Sequence, residues 1–312
     1  VDLTAFLAQH VSDKNIKNAL DFALLEDFDH LYRYANMLES DMNAKAEDYV
    51  GDYTEIMPAR PTISHHRHPY DSVKNPICNK TATPFDKCAV NIITAAEQQT
   101  MNYYMNLGGF YKNQKGRELY TEIALVEEQH VTHYGSLIDP TASWFEMCLM
   151  HEYVECYLYY SMYCDESEES VKKIWEMLLE QEIAHLHAAS KNLKKYEKKD
   201  WQEVIPDGNF PELIALKSNK NYIRNIIKDT VFNTAHREGY VNINNVPENA
   251  EFFKYQNKLF KNPKDVASHK IVQEHIDRFG EDYRVQNSIH PIKELSSRKE
   301  DNVTVGRVHT KK

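Results

Sequence analysis

From about Asp86 to Tyr196 the sequence lays four helix-length stretches end to end with almost nothing between them. Apolar residues recur in each at a period near 3.6 rather than 2. The breaks fall only at Gly108-Gly109, from Gly135 to Ser143, and at 164-CDES-167. Stretches of roughly 20 residues with such short joints can bury their apolar stripes only by packing side by side, so a helical bundle is expected. With 9 Gly and 11 Pro in 312 residues, the chain as a whole reads as all-α. At this length it can build a core without a disulfide or a structural metal.

The flanks are less regular. Residues 12-SDKNIKNALDFALLEDFDHLYRYANMLESDM-42 read as one long helix with Ser12 or Asp13 as its N-cap. Residues 48–88, with 58-PARP-61 and 68-HPYD-71, read as a long and largely irregular connection. The third bundle helix is expected to open at Asp139-Pro140, with Asp as cap and Pro at the first helical position. Weaker helical signals lie at 218–240, 249–260 and 263–279. The expected organisation is therefore an N-terminal helix and Pro/His-rich connection packed on the bundle (1–85), a four-helix bundle (86–200), a C-terminal helical extension (201–286) and a polar, mobile tail (287–312).

Charge and cysteine content exclude several classes. A formal net charge of −10 argues against nucleic-acid or anionic-membrane partners, which require clustered Lys and Arg. No window approaches the roughly 18 uninterrupted apolar residues of a membrane span, and 1-VDLTAFLAQH-10 lacks the basic start and apolar core of a signal peptide. The five cysteines form no CxxC pair and cannot all be paired, so a reducing, cytoplasmic setting is expected.

The chemistry is carried by carboxylates on apolar helix faces. Glu-x-x-His occurs at Glu127/His130 and at Glu182/His185, each in the middle of a predicted helix. Roughly one such pair arises by chance in a chain of this composition, so context has to carry the argument. Each pair is preceded, 30 residues upstream, by a Glu in the middle of the previous helix: Glu97 and Glu152. One shift of 55 superposes Glu97, Glu127 and His130 on Glu152, Glu182 and His185, and also Tyr104 on Tyr159 and Val131 on Leu186, which reads as a faint internal repeat. A carboxylate among apolar neighbours is costly unless it is protonated, paired or bound to a cation. Four carboxylates and two imidazoles at one level would suit two divalent ions, with iron or manganese favoured by the mixed oxygen and nitrogen donors.

A Glu on each of two helices and Glu-x-x-His on each of the other two resembles the ferritin-like di-iron carboxylate proteins, rubrerythrin in particular, over residues 86–196. The resemblance implies a ferritin-like four-helix bundle with additional N- and C-terminal helices, and two Fe ions (or Fe/Mn). It implies that Glu127 and Glu182 bridge the metals, Glu97 and Glu152 are terminal carboxylates, and His130 and His185 each bind one metal. Glu155, three residues after Glu152, would be a movable extra ligand or the true partner in place of Glu152. The implied activity is reduction of O2 or H2O2 as a peroxidase or oxidase, with electrons from an external donor or a small organic substrate. The chain has no four-cysteine iron site for an in-built rubredoxin. The two-fold arrangement also requires residues 135–143 to cross over along the bundle; a plain hairpin there would separate the two halves.

Other residues have simpler readings beside the functional one. Glu26, Asp27 and His30 are either solvated charges, partners behind a metal-bound His, or an alternative ligand set. His65, His66 and His68 lack any familiar metal spacing. His133 and His187 read as hydrogen-bonded or exposed. Tyr134, four residues after His130, stands where a redox tyrosine could, although packing explains it equally. Non-catalytic iron storage and a metal-free structural bundle remain the other functional classes, and a homo-oligomer is compatible with all of them.

Overall fold

The long helices of this chain begin where a side chain is on hand to accept from their unsatisfied N–H groups. The computed structural model describes residues 1–206, 208–280, 284, 286–296, 300–303 and 305. Among these the chain is mostly helical: α1 (Asp2–His10), α2 (Lys14–Met42), α3 (Glu47–Val50), α4 (Pro84–Phe110), α5 (Gln114–Gly135), α6 (Trp144–Asp165), α7 (Glu169–Glu197), α8 (Lys220–Thr230), α9 (Glu251–Leu259) and α10 (Ala267–Phe279). Asp13 caps α2 by accepting from the N–H groups of Asn15 and Ile16. Thr83 caps α4 with Pro84 at the first helical position, and Asn113 caps α5. No helix among the described residues is long and apolar enough to cross a membrane.

Three local expectations are corrected. The third bundle helix opens at Ser143, not at Asp139-Pro140, because Ser143 and Glu146 form a reciprocal capping box. Asp139 instead braces the preceding turn, accepting from the backbone N–H groups of Asn79 and Thr141, both at 2.8 Å. Residues 218–240 are not one helix. α8 stops at Thr230, and Asn233–His236 (β1) pairs antiparallel with Gly239–Asn242 (β2) through a tight turn in which Arg237 takes φ 54°. The segment after 287 is anchored where it is described: His290 bonds the Pro58 carbonyl at 2.8 Å, and Ile292 and Leu295 are buried against α2 and α8. The rest of the expected tail, residues 297–299, 304 and 306–312, lies outside the described residues.

The bundle region divides into two antiparallel hairpins, α4–α5 and α6–α7, and α6 packs mainly on α4 rather than on α5. The organising element is α2, which is buried around most of its circumference. Its Leu20 and Ala23 join the core shared with α1, α4 and α6; its Leu24, Leu25 and Phe28 meet α8. Further along, Tyr32 and Ala35 meet α10, and Met37 meets Leu119 and Ile123 of α5. The irregular connection is part of this core as well, since residues 54–67 are all buried. It therefore brings polar and charged side chains inside, which must find partners there.

Leu149 holds the α6–α7 hairpin to the rest of the chain, in the core shared with α1, α2 and α4. Leu149→Ala is expected to cost about 2–5 kcal/mol, the usual effect of deleting a buried leucine side chain. Denaturant unfolding monitored by circular dichroism checks this, and a loss under about 1 kcal/mol would mean that the hairpin is not seated as described.

Candidate metal centre

The spacing of 30 residues acquires a geometric meaning in the hairpins. Two antiparallel helices joined by a short break set at one level the residues equally far from its middle. Glu97 and Glu127 lie equally far from Lys112, the middle of the α4–α5 break, and Glu152 and Glu182 equally far from Ser167, the middle of the α6–α7 break. Each hairpin thus gathers its own triad. The structure does not bring the six expected ligands into one cluster, however. It forms two groups of donors whose ligand atoms lie within 4.8 Å of one another: Asp27, Glu97, Glu127 and His130 in one, Glu152, Glu182 and His185 in the other. The physical reason is the hairpin pairing, which leaves α6 and α7 away from α5.

The first group is completed by α2. His130 Nδ1 faces three carboxylates, at 2.9 Å from Glu127, 3.4 Å from Glu97 and 3.4 Å from Asp27. Its Nε2 lies 2.5 Å from Glu26. One ring nitrogen therefore points into the donor cluster while the other is fixed by a carboxylate behind it, which is how metal-binding histidines are commonly oriented. The other oxygen of Glu127 lies 3.0 Å from His30 Nδ1, so this one carboxylate stands between two imidazoles. Asp27 and His30 have on α2 the same three-residue offset as Glu127 and His130 on α5. Thr4 of α1 donates to Asp27 at 3.3 Å.

Glu26 is in turn held by the buried connection. Arg67 donates to both its oxygens, at 2.8 and 3.1 Å, and Arg60 to one at 3.4 Å. Both guanidiniums also lie over the ring of Phe22, Arg60 at 4.2 Å and Arg67 at 5.4 Å from its centroid. Burial works against the Glu26 charge, but Arg67, His65 and His130 outweigh it and hold the carboxyl well below its ordinary range. Arg67 also donates to His133 Nδ1 at 3.2 Å, which leaves the His133 proton on Nε2, 2.6 Å from the Tyr240 hydroxyl oxygen. That contact is what the β-hairpin supplies to the site.

The carboxylates that face His130 Nδ1 behave differently. Burial raises Asp27, and burial with the charges of Asp27 and Glu127 raises Glu97 well above its ordinary range. Glu127 goes the other way: burial alone would raise it, but His130 and His30 hold it down. His130 is resisted by burial yet raised well above its usual range by Glu97, Glu127 and Glu26. The cluster is short of positive charge and draws a proton onto His130 to offset the deficit. A divalent cation would supply that charge, and the oxygen and nitrogen donors fit iron or manganese. Two buried polar atoms beside the cluster have no hydrogen-bond partner among the described residues: His30 Nε2 and the Tyr134 hydroxyl.

The second triad is open to solvent. His185 Nδ1 lies 2.9 Å from Glu182 and 3.9 Å from Glu152. Glu155 is half-buried on the same helix as Glu152 but falls outside the donor group. Tyr134 is fully buried, its ring 6.2 Å from that of His130, and burial with the charges of Asp27 and Glu97 raises its hydroxyl. The histidines of 65–68 scatter: His65 bonds the Arg60 carbonyl, His66 packs on Phe260, and His68 caps the N–H of Tyr70. His187 is exposed and His133 buried and hydrogen-bonded, both as the sequence suggests.

Sequence reasoning found the triads and singled out Glu26, Asp27 and His30. It missed Arg60, Arg67 and Tyr240, for which no local pattern exists. Comparisons with protein-family models, with characterised proteins and with solved structures returned no match.

A pH dependence follows for the metal-free protein. His130 has a raised pKa, so its stabilising contribution is fully present below about 6.5 and is lost as the pH rises through the folded-state value. Melting temperature measured in chelator is expected to fall as the pH is raised above neutrality, and His130→Gln should flatten that limb. Ferrous or manganous ion, taking the proton's place, should restore the wild-type melting temperature. An identical pH profile in wild type and variant would refute the assignment.

Proposed function

We propose that this chain is a non-haem iron protein of the di-iron or iron/manganese kind, which binds metal in the buried centre between α2, α4 and α5 and uses it to reduce O2 or H2O2. The observation that carries the reading is His130, with Nδ1 aimed at three carboxylates and Nε2 fixed by Glu26. Asp27, Glu97, Glu127 and His130 would hold one ion. Glu127, with His30 beside it, would also help to hold a second ion, in keeping with the shared role the sequence reading gives it. Three carboxylates would offset three of the four charges that two divalent ions bring. The bound metals would supply the electrons for that reduction.

The chain's own residues set the conditions. Glu26, backed by Arg67 and Arg60, keeps His130 in one orientation and available to the metal. Asp27 is the most accessible of the four donors, its side chain 15% exposed where His130 is 0%, and so marks the side from which a small oxidant would enter. For re-reduction by an external donor we assign a row of tyrosines. Tyr104, raised by burial and by the charges of Glu127, Asp27 and Glu97, neighbours Tyr120 at 5.8 Å between ring centroids, and Tyr120 neighbours Tyr111 at 5.5 Å. The free thiols of all five cysteines fit the reducing, cytoplasmic setting proposed for it.

The test is metal content after anaerobic reconstitution with ferrous iron, followed by O2 and peroxide consumption with an added reductant. Wild type should bind iron and turn over. Glu127→Ala should lose the iron of this centre and roughly 100-fold of the turnover, on the scale of effects that metal ligation and its support carry. Iron that is bound and oxidised once without steady turnover would favour storage. A wild-type protein that takes up no iron would leave a structural bundle.

A further inference from the structure

The repeat within the chain shows what the second triad lacks. On α5, Leu119, Val126 and His130 form a stripe beside Glu127 that is buried under other helices of the same chain. The shift of 55 carries this stripe onto Ile174, Gln181 and His185 of α7. There nothing covers it among the described residues. Ile174 is 49% exposed, neighbouring Met177 50%, and the His185 side chain 59%. One hairpin has its third helix, α2, which brings Asp27 and His30 to the ligands. Its counterpart is an apolar, two-helix face with three ligands along its middle, packed on α4 from behind.

We propose that a second copy of this chain covers that face, and that the two copies of Glu152, Glu182 and His185 together form a further two-metal site across a two-fold axis. The occupant is identified by the ligands. Three donors whose ligand atoms lie within 4.8 Å of one another are half of a set, and two-fold symmetry doubles them to four carboxylates and two imidazoles without a residue from any other protein. Four carboxylates balance two divalent ions. The apolar residues flanking the triad on α7, Ile174 and Met177, would be covered by the facing copy and help to exclude water from the ions. Without metal, the same pairing sets four carboxylates face to face, where like charges oppose association. Metal therefore drives dimerisation, and the six residues read from the sequence as one site act as two: three in the buried centre and three in each half of this one. The proposal stands whether or not the buried centre is the catalytic one.

The experiment is sedimentation velocity on the full chain, in chelator and after anaerobic loading with ferrous iron, for wild type, a Glu182→Ala/His185→Ala double variant, Met177→Lys and Glu127→Ala. All the altered α7 side chains are at least partly exposed in the single chain, and circular dichroism confirms that the variants fold. Wild type should be monomeric in chelator and dimeric with iron. The α7 variants should associate at least tenfold more weakly with iron present, and the double variant should bind one iron fewer per chain. Glu127→Ala should still dimerise with iron, which separates failure of the buried centre from failure of this site. A monomer at saturating iron, or a dimer indifferent to the Glu182 and His185 changes, overturns the proposal.

Discussion

Burying Glu26 between His130 and Arg67 is the interaction on which the rest of the molecule turns. A carboxylate with no exposed surface is tolerable only if its charge is met on every side, and here an imidazole and two guanidiniums meet it. Those guanidiniums are themselves fully buried, so each needs its own support. Arg60 donates to the carbonyls of Phe22 and Thr230, and Arg67 to His133 and Ser72. Satisfying one charge thus recruits the connection before α4, the end of α8 and, through His133, the β-hairpin. Breaking the pair by removing one partner would strand a charge in the core, which costs far more than the pair contributes. The network therefore fixes α2 against α5 to a single register, as the donor cluster requires.

Much of this could be read from the sequence, because the information was local. Helix limits follow from caps and periodicity, and the two triads follow from a spacing that any short-jointed antiparallel hairpin converts into proximity. Glu26, Asp27 and His30 stood out because three ionisable side chains at helical spacing sat in an otherwise apolar helix. The structure buries Glu26 behind His130 and sets Asp27 among the donors, so the solvated-charge reading of the three is the one that does not fit.

What was not legible was long-range. Nothing in 58-PARP-61 announces that Arg60 will lie under α2, since an arginine in a Pro-rich stretch ordinarily faces water. Residues 218–240 carry helical apolar spacing, yet the pairing of Thr234 with Val241 and of Ala235 with Tyr240 wins after Thr230. Tertiary packing overrides local preference there. The capping box at Ser143 competes with an equally plausible Asp139-Pro140 start, and only the position of Asn79 decides that Asp139 is used elsewhere.

The partition of the six residues shows how two hairpins of one spacing can be completed differently. A hairpin that sets Glu across from Glu-x-x-His gathers three candidate donors by local geometry alone, whatever lies beyond it. It makes no demand on the joint between hairpins, so residues 136–143 need neither cross the bundle nor run parallel to it. What differs between the halves is the source of the remaining donors. In α4–α5 they come from α2, whose burial on nearly every side makes that arrangement permanent and shields it from solvent. In α6–α7 the corresponding stripe stays at the surface, where its apolar side chains would be a standing liability unless something covers them. Glu182 and His185 pair one turn apart on that face at little cost to the helix, so what the face calls for is a cover over Ile174 and Met177 rather than a partner for a stranded charge.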